Sequence, residues 1–452
     1  MSTLLEHPEA QELLAQTDIE PDTVRRCTQH LTRFLQRYLP FFYRDEHRQH
    51  AAVILKGKLT GLQRKTTEPI AIEGGRKRRP LQHFVGAGGW EDQAVLTELR
   101  RHVTDELGDP DGVLVLDPSA FPKKGTESCG VARQWCGRLG KVDNCQVGVF
   151  LAYVAPRGKA LLDGRLYLSA ERAADAQHRQ KTYVPKEITF QEKWRIGVDL
   201  VRTVGQDMPH SWVVGDDELG RVTELRAQLR LAHERYVLDV PCSTLVRDLS
   251  ERRPPARAGG KPRLPLFERA DRWAARQPKK RWKKIRLRGG EKGPREVWAL
   301  QQRVQTKDED GRVGPSERLV VIKTCAPEPQ VWYTLSNARQ EVPLAPVVVA
   351  HGSRHGVEEL FEEGNQEVGL SHYEVRSWTG WHHHLTLSLV ALWFLQLERL
   401  TVGKKKPGDH RRARANHLQR VAAMAGTECA GSGAESQCDP TADGGGADLP
   451  LA

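Results

Sequence analysis

Two short apolar runs each end in a carboxylate: Val113-Leu114-Val115-Leu116-Asp117 and Trp212-Val213-Val214-Gly215-Asp216. Runs this short, with no polar alternation, read as strands buried on both faces of a sheet. Such strands need helices packed over them, so the pair commits the chain to a mixed α/β class. They also bring two hard oxygen donors on rigid elements to one edge of that sheet. This is the arrangement that metal-assisted phosphoryl chemistry uses. Asp at a strand end is equally at home in a turn or a helix cap, so the two runs leave both readings open.

The surrounding pattern fills in the class. Apolar residues at helical spacing predict helices over 24–38, 50–63 and 90–107, with a basic, turn-rich link at 74–80. This Arg-rich helical stretch reads either as a DNA-holding module or as a solvated face. After Gly112 the order becomes strand, hairpin, helix, strand, helix, strand. The hairpin is predicted from 146–154 and 160–168 around Ala155-Pro156-Arg157-Gly158. Helices are predicted at 190–204 and 221–231, and a further strand at 236–240.

Residues 241–345 break that order. Strands are predicted at 297–304, 319–323 and 331–335. A basic stretch from Arg272 to Arg288 holds no acid and interleaves Trp273 and Trp282. Cations beside exposed indoles suit phosphate binding and base stacking, and a plain basic loop is the rival reading. Helices return at 352–364 and 385–397. The expected organisation is an N-terminal helical region (1–108), a first core segment (109–240), a β-rich insertion with a basic arm (241–345), C-terminal core helices (346–402) and a basic, then disordered tail (403–452).

Charge and cysteine usage exclude several classes. Lys plus Arg is 69 against 58 for Asp plus Glu, a net charge of +11 that suits a polyanionic partner. The first residues, MSTLLEHPEAQELL, lack a basic-then-apolar signal pattern. The apolar run from Leu385 to Leu397 falls short of the ~20 residues a membrane helix needs. A cytoplasmic, nucleoid-associated protein is therefore expected. Eight scattered cysteines with no CxxC pair argue against a zinc knuckle or a disulfide framework. His382-His383-His384 is a tempting metal cluster, but adjacent residues of a helix point to different faces, so helix-start packing or a phosphate contact is the better reading.

A third acid is sought on the stretch Arg354-His355-Gly356-Val357-Glu358-Glu359-Leu360-Phe361-Glu362-Glu363. Arg354 and Glu358 are four apart and share a helical face, so the arginine could hold a DNA phosphate beside the acids.

At this point a family resemblance becomes specific. The sequence resembles bacterial insertion-sequence transposases of the DDE type, the cut-and-paste group with an RNase H-like core. It does so through Asp117-Pro118-Ser119-Ala120-Phe121-Pro122-Lys123-Lys124-Gly125, Gly130-Val131-Ala132-Arg133-Gln134-Trp135, Gly215-Asp216-Asp217-Glu218-Leu219-Gly220 and Tyr373-Glu374-Val375-Arg376-Ser377-Trp378. The resemblance implies an RNase H-like mixed sheet and a catalytic, metal-binding triad of Asp117, Asp216 and Glu358, with Asp217 as the fallback second acid. It further implies Mg²⁺, with Mn²⁺ able to substitute, and double-stranded DNA as partner, both terminal inverted repeats and target. A homodimer on DNA is part of the same expectation. Arg354, Lys123, Lys124, Arg133, Lys283 and Lys284 are the expected DNA contacts. The family's tyrosine–arginine–glutamate–lysine signature finds Arg354 and Glu358 in place, with His351 where tyrosine is expected and Asn365 where lysine is expected. Those two departures motivate the alternative of a catalytically impaired or repurposed DNA-binding relative.

Overall fold

The computed structural model describes residues 21–251, 259, 264–287, 296–308 and 310–403. The first 20 residues, Arg288 and the tail from Lys404 onward lie outside them. The helices α1 (Pro21–Tyr38), α2 (Asp45–Leu59), α3 (Thr67–Glu73), α4 (Arg78–Ala87) and α5 (Asp92–Leu107) open the chain. They lead into β1 (Val113–Pro122), β2 (Ala132–Cys136), β3 (Lys141–Val154) and β4 (Lys159–Tyr167). The helices α6 (Ala170–Ala174), α7 (Ala176–Lys181) and α8 (Lys193–Val204) precede β5 (Trp212–Gly215), α9 (Asp217–Gly220), α10 (Thr223–Leu231) and β6 (Tyr236–Val240).

Five of these strands lie side by side in the order β4-β3-β1-β5-β6. In chain order that is third, second, first, fourth, fifth. β3 runs antiparallel to β1 and β4, whereas β1, β5 and β6 are parallel. This is the RNase H-like arrangement expected from the sequence. The parallel strands carry unbroken apolar runs because helices cover both faces: Val113 to Leu116 and Trp212 to Gly215 are all buried.

One boundary differs from expectation. The strand predicted to stop at Asp117 continues to Pro122, because its second half stays paired with β3, from Pro118 opposite Val149 to Pro122 opposite Cys145. Its other side loses a partner at Leu116, where β5 ends. Pro118, which has no N–H to give, sits where only one side needs a donor.

The segment after β6 is built onto the same sheet. It contributes β7 (Leu245–Asp248), β8 (Glu268–Arg269), α11 (Ala270–Ala275), β9 (Lys283–Arg286), β10 (Glu296–Lys307), β11 (Val313–Thr324) and β12 (Val331–Ser336). β12 pairs antiparallel with β6, Tyr333 opposite Val240, so the added strands prolong the core sheet. A second small core, with Trp273, Val304, Leu319 and Leu335, lies under them.

The helices α12 (Leu344–Gly352), α13 (Arg354–Glu367) and α14 (Trp378–Gly403) complete the described chain. α14 extends the predicted 385–397 helix at both ends. Leu385 to Leu395 are buried nearly throughout, because the helix threads between the N-terminal helices and β4. The N-terminal helices therefore have no core of their own. Phe34 packs edge-on against Phe394 at 5.1 Å between ring centroids, and Leu31, Leu55, Leu99 and Leu389 belong to one cluster with the sheet. No helix among the described residues is long and apolar enough to cross a membrane.

Candidate active site

The register of the parallel strands decides where the acids stand. Leu116 of β1 is opposite Gly215 of β5, and Gly215 is opposite Leu238 of β6. One residue further along each strand comes Asp117, Asp216 and Asp239. Residues at one level of a sheet project to one face, so three carboxylates stand at one level of three adjacent strands, where β5 ends.

Asp117 and Asp216 are both part-buried. Burial, then the neighbouring Asp216, pushes the Asp117 carboxyl up to about 8; Glu358 and Glu218 add to the rise and Arg354 opposes it. Burial likewise raises Asp216, to about 6, against a hydrogen bond from the Leu219 backbone N–H and the charge of Arg354. That hydrogen bond, 3.0 Å to Oδ1, makes Asp216 the N-cap of α9 as well. Asp217, the fallback, is exposed and turned to Arg221 at 3.6 Å.

Glu358 stands apart from this pair. It is exposed on α13 and meets the His355 ring at 3.3 Å. Its charge reaches Asp117, yet among the described residues no three His, Cys, Asp or Glu side chains close into a group that could hold a metal. Two hard carboxylates raised by burial, Asp117 also by Asp216, fit a divalent cation, since a bound charge of +2 would favour their ionised forms.

Sequence reasoning missed Asp239. Its signal was available: Tyr236-Val237-Leu238-Asp239 is a third apolar run reaching a carboxylate. Asp239 is buried at 5% exposure and accepts from the Arg354 guanidinium. His351 Nε2 also lies 3.1 Å from Asp239 Oδ1, without the alignment of a hydrogen bond. Arg354, expected on DNA phosphate, is thus engaged inside the protein. Burial works against its charge, but Asp239, Asp216 and Asp117 together hold the guanidinium above its usual value. His351 is equally internal, edge-on to Trp332 at 5.6 Å.

The remaining expected DNA contacts divide. Lys124, Arg133 and Lys283 are exposed. Lys284 is exposed but paired with Glu296 at 2.6 Å. Lys123 turns inward: its ammonium lies 3.4 Å over the Tyr373 ring and donates to the Tyr373 carbonyl, and burial lowers it to about 8. Within the expected basic arm, Trp273 is fully buried and donates its N–H to Asp248 at 2.9 Å, so it has no face free for a base. The arm is no loose loop, since its described residues form α11 and β9, the latter paired with β10. The three consecutive histidines start α14 as packing groups. His383 stacks on Trp90 and lies within 3.2 Å of two backbone carbonyls, and His384 reaches the Leu370 carbonyl at 3.0 Å.

Comparison with known proteins follows the same lines. Residues 37–294 match the family described as DDE superfamily endonuclease. The matched span contains Asp117, Asp216 and Asp239 and stops before Glu358. Over 94 residues the chain is 33% identical to a probable transposase for insertion sequence element IS701 from Microchaete diplosiphon. That alignment covers 21% of this chain and 25% of the relative, so it spans about a quarter of the curated protein. Among solved structures, a piggyBac transposase synaptic complex with hairpin DNA aligns over 90% of this chain and 81% of its own, at 8% identity and a TM-score of 0.39.

Proposed function

The chain belongs to the DDE superfamily of endonucleases, and on that footing we propose that it is a DNA transposase that cuts at transposon ends and joins them to target DNA. The observation that carries this reading is the placement of Asp117 beside Asp216, each one residue past the last paired position of β1 and β5, with Asp117 raised to about 8 by burial and by its neighbour. Two such groups are held there at a cost in folding free energy, which a ligand of opposite charge offsets.

Asp117 and Asp216 would hold a divalent cation, Mg²⁺ or Mn²⁺, with Glu358 as the third acid of the site. When bound, the cation supplies Lewis-acid stabilisation of the charge that builds up on the phosphodiester. The chain's own part is placement. The α9 cap fixes the Asp216 carboxylate, and the two-sided burial of β1 fixes Asp117. Water attacks the phosphodiester at the element's end and leaves a 3′-hydroxyl. That hydroxyl attacks the target phosphodiester in line, the target's own 3′-oxygen departs, and the hydroxyl proton passes to solvent. The N-terminal helices and the exposed cations Lys124, Arg133 and Lys283 grip the terminal inverted repeats. Two chains act on paired ends, associated with the nucleoid.

A second reading, a relative that binds DNA without cutting it, is favoured by one observation: Glu358 faces solvent and is not gathered with the two aspartates. Cleavage of a plasmid carrying the element's ends, assayed in Mg²⁺ with the intact chain and with Asp117→Asn, Asp216→Asn and Glu358→Gln, separates the two. Cutting by the intact chain that each variant loses supports the transposase. End binding with no cutting in either cation supports the second reading, and undiminished cutting by all three variants defeats the assignment of the site.

A further inference from the structure

We infer that Asp239 is a positioning residue that takes up the Arg354 guanidinium and thereby leaves Asp117 and Asp216 free for the divalent cation. The inference rests on the metal-dependent site proposed above and adds to it a residue that touches neither DNA nor metal.

Neighbouring strands lie about 4.8 Å apart, so Asp117, Asp216 and Asp239 form a row roughly 10 Å long with Asp216 in the middle. Arg354 is the cation all three feel, and its attraction falls off in the order Asp239, Asp216, Asp117. An arginine this close to two prospective metal ligands is a competitor for the metal. It is kept from that role by being committed to the far end of the row. The commitment is one-sided, since Nη1 reaches Asp239 while Nε is buried with no hydrogen-bond partner. Without an acceptor at Asp239, the nearest carboxylates left to the guanidinium are those of the metal pair.

Asp239 is well built to hold its place. It lies within β6, flanked by Gly215's strand on one side and paired with Thr334 of β12 on the other. Its carbonyl oxygen would stand 1.9 Å from any β-carbon added at Gly220, so the backbone after Asp216 presses directly on it. His351 brings a second nitrogen to its other oxygen at 3.1 Å. Both partners flank the start of α13, so the contact also pins the first turn of the helix that carries Glu358 one turn later.

The test is Mn²⁺ binding to the DNA-free full-length chain, followed by electron paramagnetic resonance and by calorimetry. Asp239→Asn is expected to weaken Mn²⁺ affinity by about tenfold or more, because the freed Arg354 occupies the metal pair. Adding Arg354→Gln to Asp239→Asn removes the competitor and is expected to return affinity to within about threefold of the unmodified chain. That recovery is something lost packing cannot produce. The double variant also lacks both buried charges, so it serves where Asp239→Asn alone does not fold. Unchanged affinity in Asp239→Asn, or a double variant still weakened by about tenfold, overturns the inference. Mn²⁺ binding that Asp117→Asn abolishes supports the site beneath it. If the unmodified chain binds no Mn²⁺ in that manner, the inference falls together with the site on which it rests.

Discussion

Asp216 stands beside Asp117 one residue beyond the last paired positions of β5 and β1, Gly215 and Leu116. Both carboxyls are shifted toward protonation, Asp117 the more. In chelator near neutral pH, Asp117 folds largely protonated and must take up a proton to do so, a cost Asn does not carry, so Asp117→Asn is expected to raise the thermal midpoint by about 1–3 °C. Mg²⁺ is expected to raise the midpoint of the unmodified chain and to leave that of Asp117→Asn unmoved, because mass action stabilises only a folded state that binds the ion. Differential scanning fluorimetry with and without Mg²⁺ reads both; equal Mg²⁺ shifts in the two proteins would count against the pair as a cation site.

Trp273 separates structure from DNA contact in the strand-rich segment. Its ring is fully buried and its N–H is held by Asp248, which also accepts from Gln302 at 2.6 Å. Trp273→Ala is expected to destabilise the fold by about 3–5 kcal/mol. Trp282 is half-buried under the Lys323 ammonium at 4.0 Å, and its truncation is expected to cost about 1 kcal/mol. Denaturant melts of the two variants would show the contrast, and a Trp273 variant of full stability but reduced DNA affinity would restore the stacking role.

Much of the sheet was legible because its strands carry a signal that needs no partner. Val113 to Leu116 and Trp212 to Gly215 are apolar without alternation, and only burial on both faces makes sense of that. The extension of β1 to Pro122 was not legible, since Pro118 and Pro122 argue against a strand unless one knows that β3 pairs on a single side. Arg354 and Glu358 were placed on one helical face by spacing alone. Spacing does not say which face meets the sheet, and the partner that decides it, Asp239, lies more than a hundred residues earlier. Trp273 misled for the same reason. An indole among cations looks like a stacking platform until the fold closes over it.

Acid should loosen the junction between the N-terminal helices and α14. His102 sits among Phe34, Tyr38 and Trp393, with the Tyr38 hydroxyl 3.0 Å from its Nδ1. Burial, helped by the charge of Arg37, lowers its pKa from 6.5 to about 4. Between those values the unfolded chain holds a proton that the native ring refuses, so stability falls as pH drops from 6.5 toward 4 and levels off below. The loss attributable to this ring is at most about 3 kcal/mol. His102→Asn, which cannot take up the proton, is expected to make the stability curve shallower across that window, the rest of the fall coming from other buried histidines such as His383 and His384. Urea melts at pH 7, 5.5 and 4.5 decide the matter, and parallel curves for the two proteins would remove His102 as the cause.

The exposed cations make a graded prediction about DNA. Each ammonium or guanidinium that neutralises one phosphate steepens the fall of affinity with salt by about one unit of log–log slope. Lys124, Arg133 and Lys283 are exposed, so replacing any of them by Ala is expected to weaken binding of unrelated DNA sequences alike and to reduce that slope by about one. Lys284 already holds Glu296 at 2.6 Å, and releasing it for a phosphate leaves that carboxylate facing the DNA. Its removal is therefore expected to change the slope by less than half as much as the removal of Lys283, its neighbour on β9. Lys123 is a different case. Its ammonium is spent on the Tyr373 ring and carbonyl, so Lys123→Met should leave the slope intact while disturbing the loop that carries Tyr373. Fluorescence anisotropy on a labelled duplex across a salt series measures all five variants. A slope change for Lys123→Met as large as that for Lys124→Ala would mean that the lysine leaves its tyrosine when DNA arrives.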